Sequence, residues 1–138
     1  MSDDAGPVFQ QSAVVPFRRR GEGVEVLLIT SLKKKRWIVP KGLIEPDLSP
    51  QASAAQEAFE EAGVEGVVRP ERLGEYTYRK WGGVCRVDVF LMDVRDVLDD
   101  WPERALRTRR WVGSEEAAGM VREPRLAEIL RDLAASIA

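Results

Sequence analysis

The stretch EAFEEAG at residues 57–63 places Glu57, Glu60 and Glu61 within five positions and then meets a glycine. Wound into a helix at about 100° per residue, the three fall in one narrow stripe, where like-charged pairs cost about 0.2–0.5 kcal/mol each. No Lys or Arg stands three or four residues from any of them, so the charge is not neutralised locally and a partner from outside the helix is implied. Carboxylate oxygens suit a hard divalent cation such as Mg²⁺, which takes oxygen ligands, keeps waters and bridges to phosphates. A phosphoanhydride needs charge neutralisation, an in-line water and help with its proton. Cations held by glutamates supply the first two, and a third glutamate can take the proton.

The composition narrows the chemistry further. Histidine is absent from the 138 residues and cysteine occurs once, as Cys85. Serine–histidine and cysteine–histidine catalysis, histidine-ligated zinc and an internal disulfide are thereby excluded. A hydrophobic share of 44% with 32% charged residues belongs to a single globular domain, expected over residues 1–138 with about 1–8 disordered. No apolar run approaches the roughly 20 residues of a membrane span. The acidic start MSDDAGPVFQ lacks a secretory pattern, and with the lone cysteine it leads to the expectation of a cytoplasmic location. A net charge of −2 argues against general nucleic-acid binding. The charges are nonetheless segregated, with basic clusters at 18–20, 33–36 and 104–110 and acids at 45–65 and 93–100. A pocket facing both kinds suits a polyanion bridged by cations.

The elements that must position the glutamates are legible. SAVVPF and VEVLLIT read as two strands joined by the turn RRRGEG. SLKKKRW is a basic loop, WIVP a short extended piece and KGLIEPDLSP a connector punctuated by Gly42, Pro46 and Pro50. Ser49 as N-cap, Pro50 at the first helical position and Gly63 as C-terminal cap bound the glutamate helix. Ala52, Ala55, Phe59 and Ala62 are expected on the side away from the glutamates, pressing the helix onto a sheet. RLGEYTYR and CRVDVFLMDV form another strand pair, LRTRRWV a further strand, and SEEAAGMV and PRLAEILRDLAASI helices, the last with a stripe of Leu126, Ile129, Leu130 and Leu133. The order predicts an α/β sandwich with a mixed sheet.

The stretch from Gly42 to Val64, GLIEPDLSPQASAAQEAFEEAGV, resembles the signature box of the Nudix hydrolases. It matches that pattern at Gly42, Glu57, Glu60, Glu61, Gly63 and Val64, with Ala58 a weak match at an apolar position. Two positions depart: Leu48 replaces the loop glutamate and Gln56 replaces the arginine before Glu57. In the family these side chains fix the loop and orient the neighbouring glutamate, so the placement of Glu57 is what the departures touch. Glu45 in the same loop is a candidate partial substitute. RWIVPKG and LDDWPERALRTRRWV resemble the diphosphoinositol polyphosphate phosphohydrolase branch, which also cleaves diadenosine polyphosphates.

The resemblance implies a Nudix-like α/β/α sandwich and a metal-dependent pyrophosphohydrolase acting on a small-molecule polyphosphate. By resemblance, Glu57, Glu61 and the Gly42 carbonyl are metal ligands for Mg²⁺, with Mn²⁺ as the second choice. Glu60 is the proton acceptor, and Ser31, Lys33, Lys41 and Arg107 sit where that branch places phosphate contacts. Two other readings stand beside this one: a hydrolase of ordinary nucleoside triphosphates or nucleoside-diphosphate sugars, and a non-catalytic ligand sensor. Trp37, Trp81, Trp101 and Trp111 are expected to pack in core or rim rather than stack on a base. Cys85 is expected as buried filler. The oligomeric state is not specified by the sequence.

Overall fold

The runs of β-branched and apolar residues build a seven-stranded sheet, seen in a computed structural model that describes residues 6–137. β1 (Val8–Arg20) and β2 (Gly23–Thr30) form the expected hairpin, with Phe17 opposite Val26 and Arg20 opposite Gly23. β3 (Trp37–Ile38) and β7 (Arg109–Gly113) both pair antiparallel with β2. β4 (Lys41–Leu43) pairs antiparallel with the first half of β1, Gly42 opposite Ser12. β5 (Val64–Lys80) and β6 (Gly83–Val97) make a long hairpin, and β6 runs parallel to β1 from Val8–Val84 to Phe17–Asp93. The sheet is therefore mixed, as expected.

Helices cover both faces, which gives the α/β/α layering read from the sequence. One face carries α1 (Pro50–Glu57), prolonged by a π-helical turn over Ala58–Ala62. The other carries α2 (Ser114–Ala118), α3 (Pro124–Arg131) and α4 (Leu133–Ile137). The two-residue alternation of a strand sorts β1 between the layers. Val14 joins Leu27, Ile29, Phe90 and Met92 under α1, while Ala13, Val15 and Phe17 join Val87, Val89 and the Leu126, Ile129, Leu130 and Leu133 stripe.

Two expectations change. Of the residues expected to be disordered, 1–5 lie outside the described residues. Val8 is instead the first residue of β1, and the Pro7 carbonyl accepts a 2.9 Å hydrogen bond from the Val84 amide, so pairing with β6 holds this end. On the glutamate helix the buried stripe is Ala54, Ala58 and Ala62, and Ala52 is exposed. That stripe runs beside Glu57 and Glu61 rather than opposite them. Alanines four apart let the helix close on the sheet and draw the adjoining carboxylates inward with it.

Gly63 ends the helix in the left-handed region at φ 67°. A side chain there would overlap the Trp101 ring. Gly63→Ala is accordingly expected to destabilise the fold by more than about 1 kcal/mol in denaturant unfolding; an unchanged midpoint would contradict this account of the turn.

Candidate active site

The glutamate helix is fixed at both ends. Ser49 accepts a 3.0 Å hydrogen bond from the Ala52 amide, and Pro50 opens the first turn. At the other end the π turn carries one residue more than an α-helical turn, and its last carbonyls need outside partners. The segment after β6 supplies them. The Glu103 amide donates to Glu60 O at 3.0 Å and Trp101 Nε1 to Glu61 O at 3.2 Å. Arg109 Nη1 donates to Ala62 O at 2.9 Å and to Gly63 O at 3.2 Å, while its guanidinium lies 3.9 Å from the Trp101 ring centroid. With its end held this way, the helix cannot rotate, and the direction of each glutamate is set.

Glu57 and Glu61 are brought together against β4. The Glu57 carboxylate packs on Gly42, where any β-carbon would overlap it. Glu61 is nearly buried, its side chain 8% exposed, and its Oε1 accepts a 3.2 Å hydrogen bond from the Lys41 amide. Arg107 Nη2 stands 3.7 Å from Glu61 Oε2. Burial pushes the Glu61 carboxyl up to about 8; Arg107 pulls it down, and hydrogen bonding with Glu57 raises it again. The Glu57 carboxyl is also raised, first by burial and further by Glu60, Glu103 and Glu45, with the Glu61 hydrogen bond opposing. Burial thus holds both carboxyls above the ordinary carboxylate range.

Glu60 is near enough to raise the Glu57 carboxyl but is engaged by a different side chain. Gln56 Nε2 donates to Glu60 Oε2 at 3.1 Å, and among the described residues no three acidic side chains converge as a metal-binding group. The donors at the pair still suit a hard cation, since all are oxygens and the carboxylates carry more charge than Arg107 offsets. Ser12 points the same way. It faces Gly42 across the β1–β4 register, and its fully buried Oγ has no hydrogen-bond partner among the described residues. An unpaired buried hydroxyl is costly and fits a site that takes up an ion or its water.

The residues assigned to phosphate by resemblance are placed differently from one another. Lys33 is exposed in the turn after β2. Ser31 closes that turn: its Oγ accepts from the Arg36 amide at 3.0 Å and its own amide donates to Arg36 O at 2.7 Å. The Lys41 ammonium lies 4.9 Å from the Tyr78 ring centroid, and its pKa is lowered chiefly by burial. Arg107 is only 7% exposed, and it donates to Glu103 Oε1 at 2.7 Å and to Thr30 O at 2.9 Å. It is a strut beside Glu61, with its Nε and Nη1 both bonded to protein. Ser53, Glu103, Trp101 and Arg109 were not anticipated. Ser53 Oγ accepts from the Glu45 amide at 2.8 Å and so anchors the loop in which Leu48 stands for the usual glutamate. In sequence it is only a small polar residue on a helix.

A NUDIX domain family model matches residues 9–134. The chain is 33% identical over 139 residues to Nudix hydrolase 13, mitochondrial, of Arabidopsis thaliana, covering 91% of this chain and 67% of that protein. It is 35% identical over 129 residues to diphosphoinositol polyphosphate phosphohydrolase 3-beta of Bos taurus, covering 90% of this chain and 77% of that one. Other Arabidopsis relatives are longer; the chain spans 53% of Nudix hydrolase 12 and 65% of Nudix hydrolase 16. The crystal structure of C. elegans Ap4A hydrolase has the same fold, with a TM-score of 0.78 at 21% identity, covering 96% of this chain and all of that one. The chain belongs to the Nudix hydrolase family. Among the described residues no helix is long and apolar enough to cross a membrane.

The raised carboxyls set a pH dependence. Burial holds the Glu61 carboxyl up at about 8 against an ordinary 4.5, so between those values the folded state binds more protons. Stability then falls as pH rises through that window, by up to about 1.4 kcal/mol per unit. Chelated protein should melt lower at about pH 8 than at about pH 6, and Glu61→Gln should flatten the difference. Melting that rises with pH in chelator, unaltered by the substitution, would refute the raised Glu61 carboxyl.

Proposed function

We propose that this protein hydrolyses a phosphoanhydride bond in a highly phosphorylated small molecule, such as a diphosphoinositol polyphosphate or a diadenosine polyphosphate, with Mg²⁺ or, in its place, Mn²⁺. The observation that carries the reading is the pair of buried carboxyls, Glu57 packed on Gly42 and Glu61 beneath the Lys41 amide. Water alone does not neutralise such a pair, and a divalent cation does. Glu57 and Glu61, with the Gly42 carbonyl, hold the ion. When bound, it supplies charge neutralisation and polarisation of the phosphate.

The remaining roles fall to the chain's own groups. Glu60 sits on the next helical positions, outside the buried pair and engaged by Gln56, and it accepts the proton of the attacking water. Arg107 keeps Glu61 turned toward β4 through its own bonds to Glu103 and Thr30. Lys33 and Lys41 meet the phosphates as cations, and Ser31 holds the turn that presents Lys33. The relative named for diphosphoinositol polyphosphates, matched over 90% of this chain, supports a densely charged substrate. A cytosolic location agrees with a single, free and buried Cys85.

Turnover of both substrate types with Mg²⁺ tests this reading. Glu60→Gln is expected to lower kcat by about 10²-fold or more, and excess chelator to abolish activity. Full activity in either control contradicts the mechanism.

A further inference from the structure

Strand β1 buries two polar side chains, Gln11 and Ser12, 3% and 0% exposed. Alternation sends them to opposite faces of the sheet. Gln11 is satisfied, its Oε1 accepting from the Tyr78 hydroxyl at 2.8 Å. Ser12 is not: among the described residues its Oγ is the one buried side-chain oxygen or nitrogen without a hydrogen-bond partner. A hydroxyl that leaves water and gains no partner costs stability, and alanine would fill the same place without that cost.

The register shows what this hydroxyl stands beside. Ser12 is opposite Gly42 across β1 and β4, and opposed residues of antiparallel strands send their side chains to one face, about 5 Å apart. The place of the missing Gly42 side chain is taken by the Glu57 carboxylate. Ser12 and that carboxylate are therefore cross-strand neighbours, the first rising from the sheet and the second descending onto it from α1. Other polar groups nearby are already engaged. Asp88, in register with Ser12 on the β6 side, accepts from Arg72 Nη1 at 3.1 Å. Ser53, the buried serine of α1, takes the Glu45 amide at 2.8 Å, and the Lys41 amide serves Glu61 at 3.2 Å. A carboxylate accepts at about four positions, so Glu57 has room for a further donor beside its bond with Glu61.

We propose that Ser12 is a positioning residue for the cation site, its hydroxyl donating to the Glu57 carboxylate when that carboxylate holds an ion. The proposal rests on the reading of the Glu57–Glu61 pair given above and adds to it a group that touches the ligand rather than the ion. Carboxylates that hold cations are themselves hydrogen-bonded, and these outer donors fix the direction of their oxygens. Glu61 has the Lys41 amide and the Arg107 guanidinium for this purpose. Ser12 is placed to do the same for Glu57. The hydroxyl left unmet in the free chain is met when the site fills, so one oxygen affects stability without metal and affinity for metal in opposite directions.

Two readouts on Ser12→Ala test this, neither of them turnover. In thermal melts with excess chelator the variant should equal or exceed the wild-type midpoint, because an unmet hydroxyl is removed. Ser53→Ala, the same change at a hydroxyl that has a partner, should lower it. In calorimetric titration with Mn²⁺, Ser12→Ala should bind about tenfold more weakly than the wild-type chain. A midpoint in chelator lowered by Ser12→Ala as far as by Ser53→Ala shows a hydroxyl already partnered and overturns the proposal. Mn²⁺ affinity undiminished in Ser12→Ala overturns the proposal alone and leaves the cation reading standing. A wild-type chain that takes up no Mn²⁺ defeats the cation reading, and the role of Ser12 with it.

Discussion

Two carboxyl groups confined against one glycine dictate the local architecture. Glu57 occupies the volume that a β-carbon at residue 42 would fill, and Glu61 is buried beside it under the Lys41 amide. Burying like charges together is unfavourable by several kcal/mol unless a proton, a cation or a web of donors compensates. The Lys41 amide and the Arg107 guanidinium face Glu61, and burial holds both carboxyls above the ordinary range, so cation binding at this pair would be linked to pH.

Holding this pair in place requires more than the helix that bears it. The π turn leaves carbonyls exposed at the end of the glutamate helix, and Trp101, Glu103 and Arg109 take them. Arg107 from the same segment reaches Glu61 itself. One stretch of chain after β6 thus caps the helix and steadies its most buried carboxylate. The 44–49 loop, in which Leu48 stands, is anchored by the Ser53 hydroxyl through the Glu45 amide.

What was legible in the sequence was what short-range chemistry governs. Ser49, Pro50 and Gly63 mark the helix because capping and left-handed termination are local, and the hairpins follow from alternation and turn residues. The box spacing located Gly42, Glu57 and Glu61, which the fold brings together. What was not legible depends on contacts far apart in the chain. The rotation of the helix that buries Ala54, Ala58 and Ala62 instead of Ala52 follows from its seating on β1, and the π turn is sustained by residues some forty positions later. Arg107 had the charge of a phosphate contact, and only the surroundings of Glu103 and Thr30 show it committed to protein. Trp81, read as packing, is 52% exposed as a residue.

Manganese binding gives the most direct test that the paired carboxyls are a cation site. Free Mn²⁺ followed by electron paramagnetic resonance should be depleted by the wild-type chain. It should remain free in the presence of the Glu57→Gln, Glu61→Gln double variant, whose carboxamides keep the shape and remove the charge. Equal depletion by both proteins would place the ion elsewhere and contradict the account.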